Sequence, residues 1–179
     1  HNDTRETVKG SPFIFLEATR EAEFVINKDR RKPVQLQVDY FFTEADHHAH
    51  LHLDKVLREA GYSDRIGNGI YLEHARFQDK ADAIIAFIKK KSPKNGRSIF
   101  ALDQYGYKEV PTQLLRKIFD ALPSAEVILT FGVDSFMNFA SDGEQVKDLL
   151  DGLGIPDIFG GRSVEEIKSS DRDWRLFLQ

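Results

Sequence analysis

Short apolar runs rich in β-branched and aromatic residues alternate along this chain with amphipathic stretches of helical period, and this alternation restricts the fold more than any other feature. Runs that read as buried on both faces belong to parallel sheets, whose crossover helices cover the strands. Val34, Leu36, Val38, Tyr40, Phe41 and Phe42 predict a first strand, followed by strands over 69–75, 98–103 and 125–132. Helical stretches separate them. Gly10 supplies a turn, Ser11 an N-cap and Pro12 a first helical position, so a helix should run into the Arg20 region. Asp46 should cap a second helix through Leu51, Leu53, Val56 and Leu57, with Gly61 closing it. Asp79 should cap a third through Ala83, Ile84, Phe87 and Ile88. A fourth is expected over 110–122, with Leu114, Leu115, Ile118 and Phe119 on one face. After Ser141 the pattern changes to a helix near 145–150, a glycine-rich loop over 152–161 and a helix from Val164.

The implied fold class is α/β: a Rossmann-like, three-layer α/β/α arrangement with a mainly parallel sheet, incomplete at both ends. The expected organisation is a disordered or excerpted segment over 1–9, an α/β domain over 10–142 and a helical C-terminal extension over 143–179. Hydrophobic residues at 41% and charged residues at 30% suit a folded globular chain rather than a disordered one. A net charge of -4 gives no global attraction for polyanions, so nucleic-acid binding would need a local patch. Lys89, Lys90, Lys91, Lys94 and Arg97 form the densest basic run, placed where cations complement a helix C-terminus. With no cysteine, the chain has no disulfide, thiolate metal site or thiol nucleophile, which suits a reducing cytoplasm. No apolar stretch approaches the ~20 residues that span a bilayer, so no membrane partner is expected.

In parallel α/β sheets ligands collect at the carboxyl ends of strands, where helix N-termini present free N–H groups. The first strand ends in Phe42-Thr43-Glu44-Ala45-Asp46, and an acid just past such a strand can accept both hydroxyls of a ribose. Glu44 is therefore the candidate, with Asp46 explained as a cap. At the second strand end Phe77 could support an adenine ring with Asp79 beside it, although core packing and capping explain the same residues. The third strand ends in Asp103-Gln104-Tyr105-Gly106-Tyr107, a carboxylate beside flat aromatic walls that suits a planar substrate and an amine. Asp134 and Ser135 after the fourth strand read as helix caps.

His47, His48, His50 and His52 crowd one helix start. Only His48 and His52, four apart, share a helix face at ligand spacing, with Glu44 a turn earlier, and the cluster reads as a solvated polar face. No metal ligand is assigned. HExxH, GxSxG, a Walker-type loop and GxGxxG are absent, so protease, serine-hydrolase and P-loop nucleotidase readings lose their support.

The order of these motifs resembles the three-Cys-motif partner (TcmP) proteins of bacteria, a family similar to class I S-adenosylmethionine-dependent methyltransferases. Gly10-Ser11-Pro12, the strand ending in Glu44, SIFALDQYGYKEVP and AEVILTFGVDSFMNF carry the likeness over 10–140. The resemblance implies S-adenosylmethionine as cofactor, with Glu44 on its ribose and Phe77 and Asp79 near its adenine. It makes Asp103 and Tyr105 the catalytic residues, with Tyr107 on the substrate. Gln104 stands where the family has proline, and Arg76 where an adenine-reading acid is often found. The family's glycine-rich cofactor loop belongs just upstream of the Gly-Ser-Pro turn, and nothing before Gly10 supplies it. Two functions follow as expectations: methyl transfer to a nucleic-acid or protein amine, or a catalytically inactive interaction module serving a three-Cys-motif partner in phage defence or mobile-element biology. For either, Glu44 and Asp103 are expected on one edge of the sheet.

Overall fold

The computed structural model describes residues 10–95, 97–103, 110–130 and 143–170. They form helices α1 (Ser11–Asn27), α2 (His47–Leu57), α3 (Phe77–Lys91), α4 (Thr112–Ala121), α5 (Glu144–Leu153) and α6 (Val164–Ser170) and strands β1 (Tyr40–Glu44), β2 (Ile70–His74), β3 (Ser98–Asp103) and β4 (Ala125–Thr130). β1 pairs with β2, and β3 with β4, both in parallel. Among the described residues these are two two-stranded sheets with no ladder joining them. The chain is thus a mixed helix and strand protein with small parallel sheets. It divides into two units, 1–75 and 76–179.

In the first unit, parallel pairing of β1 with β2 demands a crossover, which α2 and two short turns supply. α2 ends at Leu57 and passes into a π turn, Arg58–Tyr62, where Gly61 takes a φ of 84° that a side chain would oppose. The core consists of Leu16, Tyr40, Leu57, Tyr62 and Ile70, with Phe13, Phe42, Leu53 and Leu72 packed against it. Leu57 and Ile70 have no exposed surface. The register sets Phe41 opposite Tyr71, whose rings stack at 4.6 Å, a cross-strand contact that stabilises by about 0.5–1 kcal/mol. Arg20 lies over the Tyr62 ring and Arg65 over Tyr40, so two guanidinium groups cover the margins of this core.

The first strand is shorter than its sequence suggests. Val34, Leu36 and Val38 precede the ladder because their backbone is partly satisfied elsewhere: Asn27 bonds both the N–H and the C=O of Val34, and Glu23 accepts the Leu36 N–H. The N-cap of α1 is Gly10, not Ser11, and it makes no side-chain bond. Asp46 does cap α2, accepting the Ala49 N–H at 2.7 Å.

In the second unit β3 alternates between sides, with Phe100 and Leu102 buried and Ile99, Ala101 and Asp103 exposed. Ala101 faces Ile128 in register, so one side of this pair presents Ile99 and Ile128 to solvent, 62% and 57% exposed. α4 buries Ile118 completely, while Phe119 on the expected apolar face is half exposed. α3 carries Ala81, Ile84 and Ile85 into the core, and Lys117 of α4 pairs with Asp82 of α3. α5 and α6 follow in the chain, and Gly154, the C-cap of α5, has φ 72°. No described helix is long and apolar enough to cross a membrane.

Candidate functional site

The carboxyl end of β1 concentrates polar groups at the start of a helix. Glu44 is the last residue of β1 and partly buried. Its Oε1 accepts the Asp46 N–H at 2.9 Å, and among the described residues Oε2 has no partner. Asp46 in turn caps α2. The Ala49 N–H holds the Asp46 carboxyl below the usual carboxylate range, with the neighbouring His48 and His47 adding to the effect against a desolvation penalty. Two carboxylates therefore flank the positive end of the α2 dipole, one of them with a free acceptor oxygen. Such an oxygen suits a hydroxyl donor.

The histidines arrange themselves differently from the expected His48–His52 pair. Both of those are exposed; the His74 ring meets those of His47 and His50, and His47 also meets His48 edge-on at 5.9 Å. His74 closes β2, directly opposite Glu44 in the register. Its ring centroid lies 5.0 Å from that of His47 and 5.5 Å from that of His50. His74 Nε2 is 3.2 Å from the Ala45 carbonyl oxygen, and among the described residues the buried His50 Nδ1 has no hydrogen-bond partner. Two signals pointed here: His47 and His50 are three apart, hence on one helix face, and His74 ends the strand that pairs with β1. The first competes with the four-residue spacing of His48 and His52, and the second needs the register. Among the described residues no group of three or more histidine, aspartate or glutamate side chains could hold a metal ion.

In the second unit Asp103 is the exposed last residue of β3. Gln104, Tyr105, Gly106 and Tyr107 lie outside the described residues, as do Asp134 and Ser135. Phe77 opens α3 and meets buried Phe100 edge-on at 6.0 Å, the contact expected of a packing residue. Asp79 is not the cap: Arg76 occupies that position with extended backbone, and Asp79 sits in the first turn, where its charge complements the helix dipole. Lys89, Lys90 and Lys91 fill the last turn of the same helix, Lys91 over the Phe87 ring, as cations at a helix C-terminus should.

A surface depression of about 360 Å³ on α1 is lined by Arg20, Glu23, Phe24 and Asn27. It is wide open, and Glu23 and Asn27 are committed to the backbone of Val34 and Leu36. The strand ends hold the stronger polar constellation.

No family model, curated protein or solved structure matches this chain. The site is therefore argued from its own groups.

Proposed function

We propose that this chain is a nucleoside-binding α/β domain of the methyltransferase type, whose ligand is S-adenosylmethionine. The observation that carries the reading is Glu44: an acid at the carboxyl end of a parallel strand, directly ahead of a helix N-terminus, with one carboxylate oxygen that no other described residue bonds. A ribose diol supplies the hydroxyl donors that such an oxygen lacks. The described residues fit the ribose of the cofactor in this respect and leave its methionine part unassigned.

Bound there, S-adenosylmethionine supplies an electrophilic methyl group on a sulfonium. The protein's share of the chemistry is placement and charge. Glu44 holds the ribose. The three-layer Rossmann-like sheet and the kinship with three-Cys-motif partner proteins belong to the same proposal.

A second reading is an interaction module without chemistry, serving a partner protein. Exposed apolar side chains favour it: Phe24 and Val25 on α1 are 72% and 62% exposed, and Ile99 and Ile128 share one side of the β3–β4 pair. Isothermal calorimetry of S-adenosylmethionine with the 179-residue chain separates the two. The proposal expects saturable binding that Glu44→Ala abolishes while far-UV circular dichroism stays unchanged. Absence of heat at millimolar cofactor would remove the methyltransferase reading and leave the interaction module.

A further inference from the structure

We propose that the outward face of α1 is a homodimer interface, on which two copies of this chain pack their α1 helices antiparallel about a two-fold axis. This dimer is independent of the nucleoside reading, which needs neither a second copy nor α1.

Two sides of α1 carry apolar residues at helical spacing. Phe13, Leu16, Arg20, Glu23 and Asn27 recur at intervals of three and four, and through them the helix is held. Phe13 and Leu16 enter the core, Arg20 lies over the Tyr62 ring, and Glu23 and Asn27 bond the backbone of Leu36 and Val34. Ile14, Ala18, Ala22 and Val25 recur at the same intervals on the opposite side, and all four are exposed, Ile14 by 55% and Val25 by 62%. Phe24, 72% exposed, stands at the edge of this stripe. A helix that is apolar around most of its circumference packs on more than one side, and contiguous exposed apolar surface marks a place of association.

The order of residues in the stripe fits a second copy of itself. From either end it runs bulky, small, small, bulky, so in an antiparallel pair Ile14 of one copy meets Val25 of the other and Ala18 meets Ala22. A two-fold interface requires such a self-complementary patch. The two alanines at its centre allow the helix axes to approach to the near end of the usual range of about 8–10 Å.

Charge selects the antiparallel orientation. Glu17, Glu21 and Lys28 lie along one edge of the stripe, and the exposed turn over 28–32 carries Lys28, Arg30, Arg31 and Lys32 against one acid, Asp29. In a parallel pair Glu17 would face Glu17 and Lys28 would face Lys28. In the antiparallel pair the basic turn of each copy comes beside the half of the other helix that carries Glu17, and the two-fold axis makes this attraction twice. α1 has 17 residues, a length of about 25 Å. One helix pair of that length belongs with the small interfaces, under about 1,200 Å², so the dimer should be reversible and dependent on concentration.

The test is sedimentation velocity of the full chain at low salt, run from low to high micromolar protein. The expected result is a reversible shift from monomer to dimer as concentration rises. Ala18→Glu sets two carboxylates at the centre of the contact and should weaken the dimer at least about tenfold. Its circular dichroism should match the wild type, since the position is exposed and glutamate is a good helix former. Ala22→Glu repeats the test should Ala18→Glu disturb the fold. Lys28→Glu and Glu17→Lys should each weaken the dimer about two- to fivefold, and the double variant should recover the wild-type affinity. A chain that stays monomeric at every concentration, as it would if a different protein covers α1, would overturn the proposal. So would a dimer that Ala18→Glu and Ala22→Glu leave intact, or one whose charge variants fail to rescue each other.

Discussion

Leu57→Ala tests the packing that holds the strand-end groups in place. Leu57 closes α2 and is fully buried among Leu16, Tyr40, Tyr62 and Ile70. The same helix opens at Asp46 and carries His47 and His50, so its seat on this core fixes the position of the polar groups at the end of β1. Truncation removes three carbons, which at about 0.8 kcal/mol each amounts to roughly 2.4 kcal/mol of lost burial. The cavity left behind adds to that, giving an expected loss of about 3–4 kcal/mol. Leu51 on the same helix is 51% exposed, and Leu51→Ala should cost less than about 1 kcal/mol. Urea denaturation by circular dichroism gives the stabilities, and hydrogen exchange of the β1 and α2 amides shows where protection is lost. Equal losses from the two variants would mean that α2 does not dock through Leu57, and the geometry built on it would fail.

Two further perturbations follow from particular contacts. Because hydrogen bonding lowers the Asp46 carboxyl in the folded state, the cap contributes fully above the ordinary carboxylate range and is lost as pH falls through the lowered value. The protection of the Ala49 amide, its exchange referred to the intrinsic rate at each pH, should therefore fall in the wild type as the pH drops below the ordinary carboxylate range, and Asp46→Asn, which caps without ionising, should flatten that dependence. Gly154→Ala places a Cβ 2.6 Å from Thr112 Oγ1 at a φ of 72°. The left-handed backbone alone costs about 1–2 kcal/mol, and Thr112→Ala in the same chain should recover only the part due to the clash, read as a partial return of the urea midpoint.

The elements legible in the sequence were those whose local pattern and tertiary surroundings agree. SIFALD is the strand Ser98–Asp103 to the residue, and the Asp46 cap could be read from the aspartate ahead of an apolar helical period. Disagreement arose where a distant side chain intervened. Val34 and Leu36 have strand character, but Asn27 and Glu23 of α1 take their backbone groups, a capture invisible to local propensity. Asp79 looked like a cap because acids favour both the cap and the first turn, and only the extended backbone of Arg76 decides between them. The place of Glu44 at the end of β1 was legible from the β-branched and aromatic run before it. The His47–His50–His74 cluster was not, because it depends on pairing Glu44 with His74 across two strands separated by a helix.

Chemical-shift mapping of the isotopically labelled chain with S-adenosylhomocysteine, the product form of the proposed ligand, tests the central claim most directly. Saturable shifts centred on the amides from Phe42 to Ala49, lost in Glu44→Ala, are the predicted result. A spectrum unmoved at saturating ligand, or shifts confined to residues away from the end of β1, would contradict the assignment of Glu44 as a ribose acceptor.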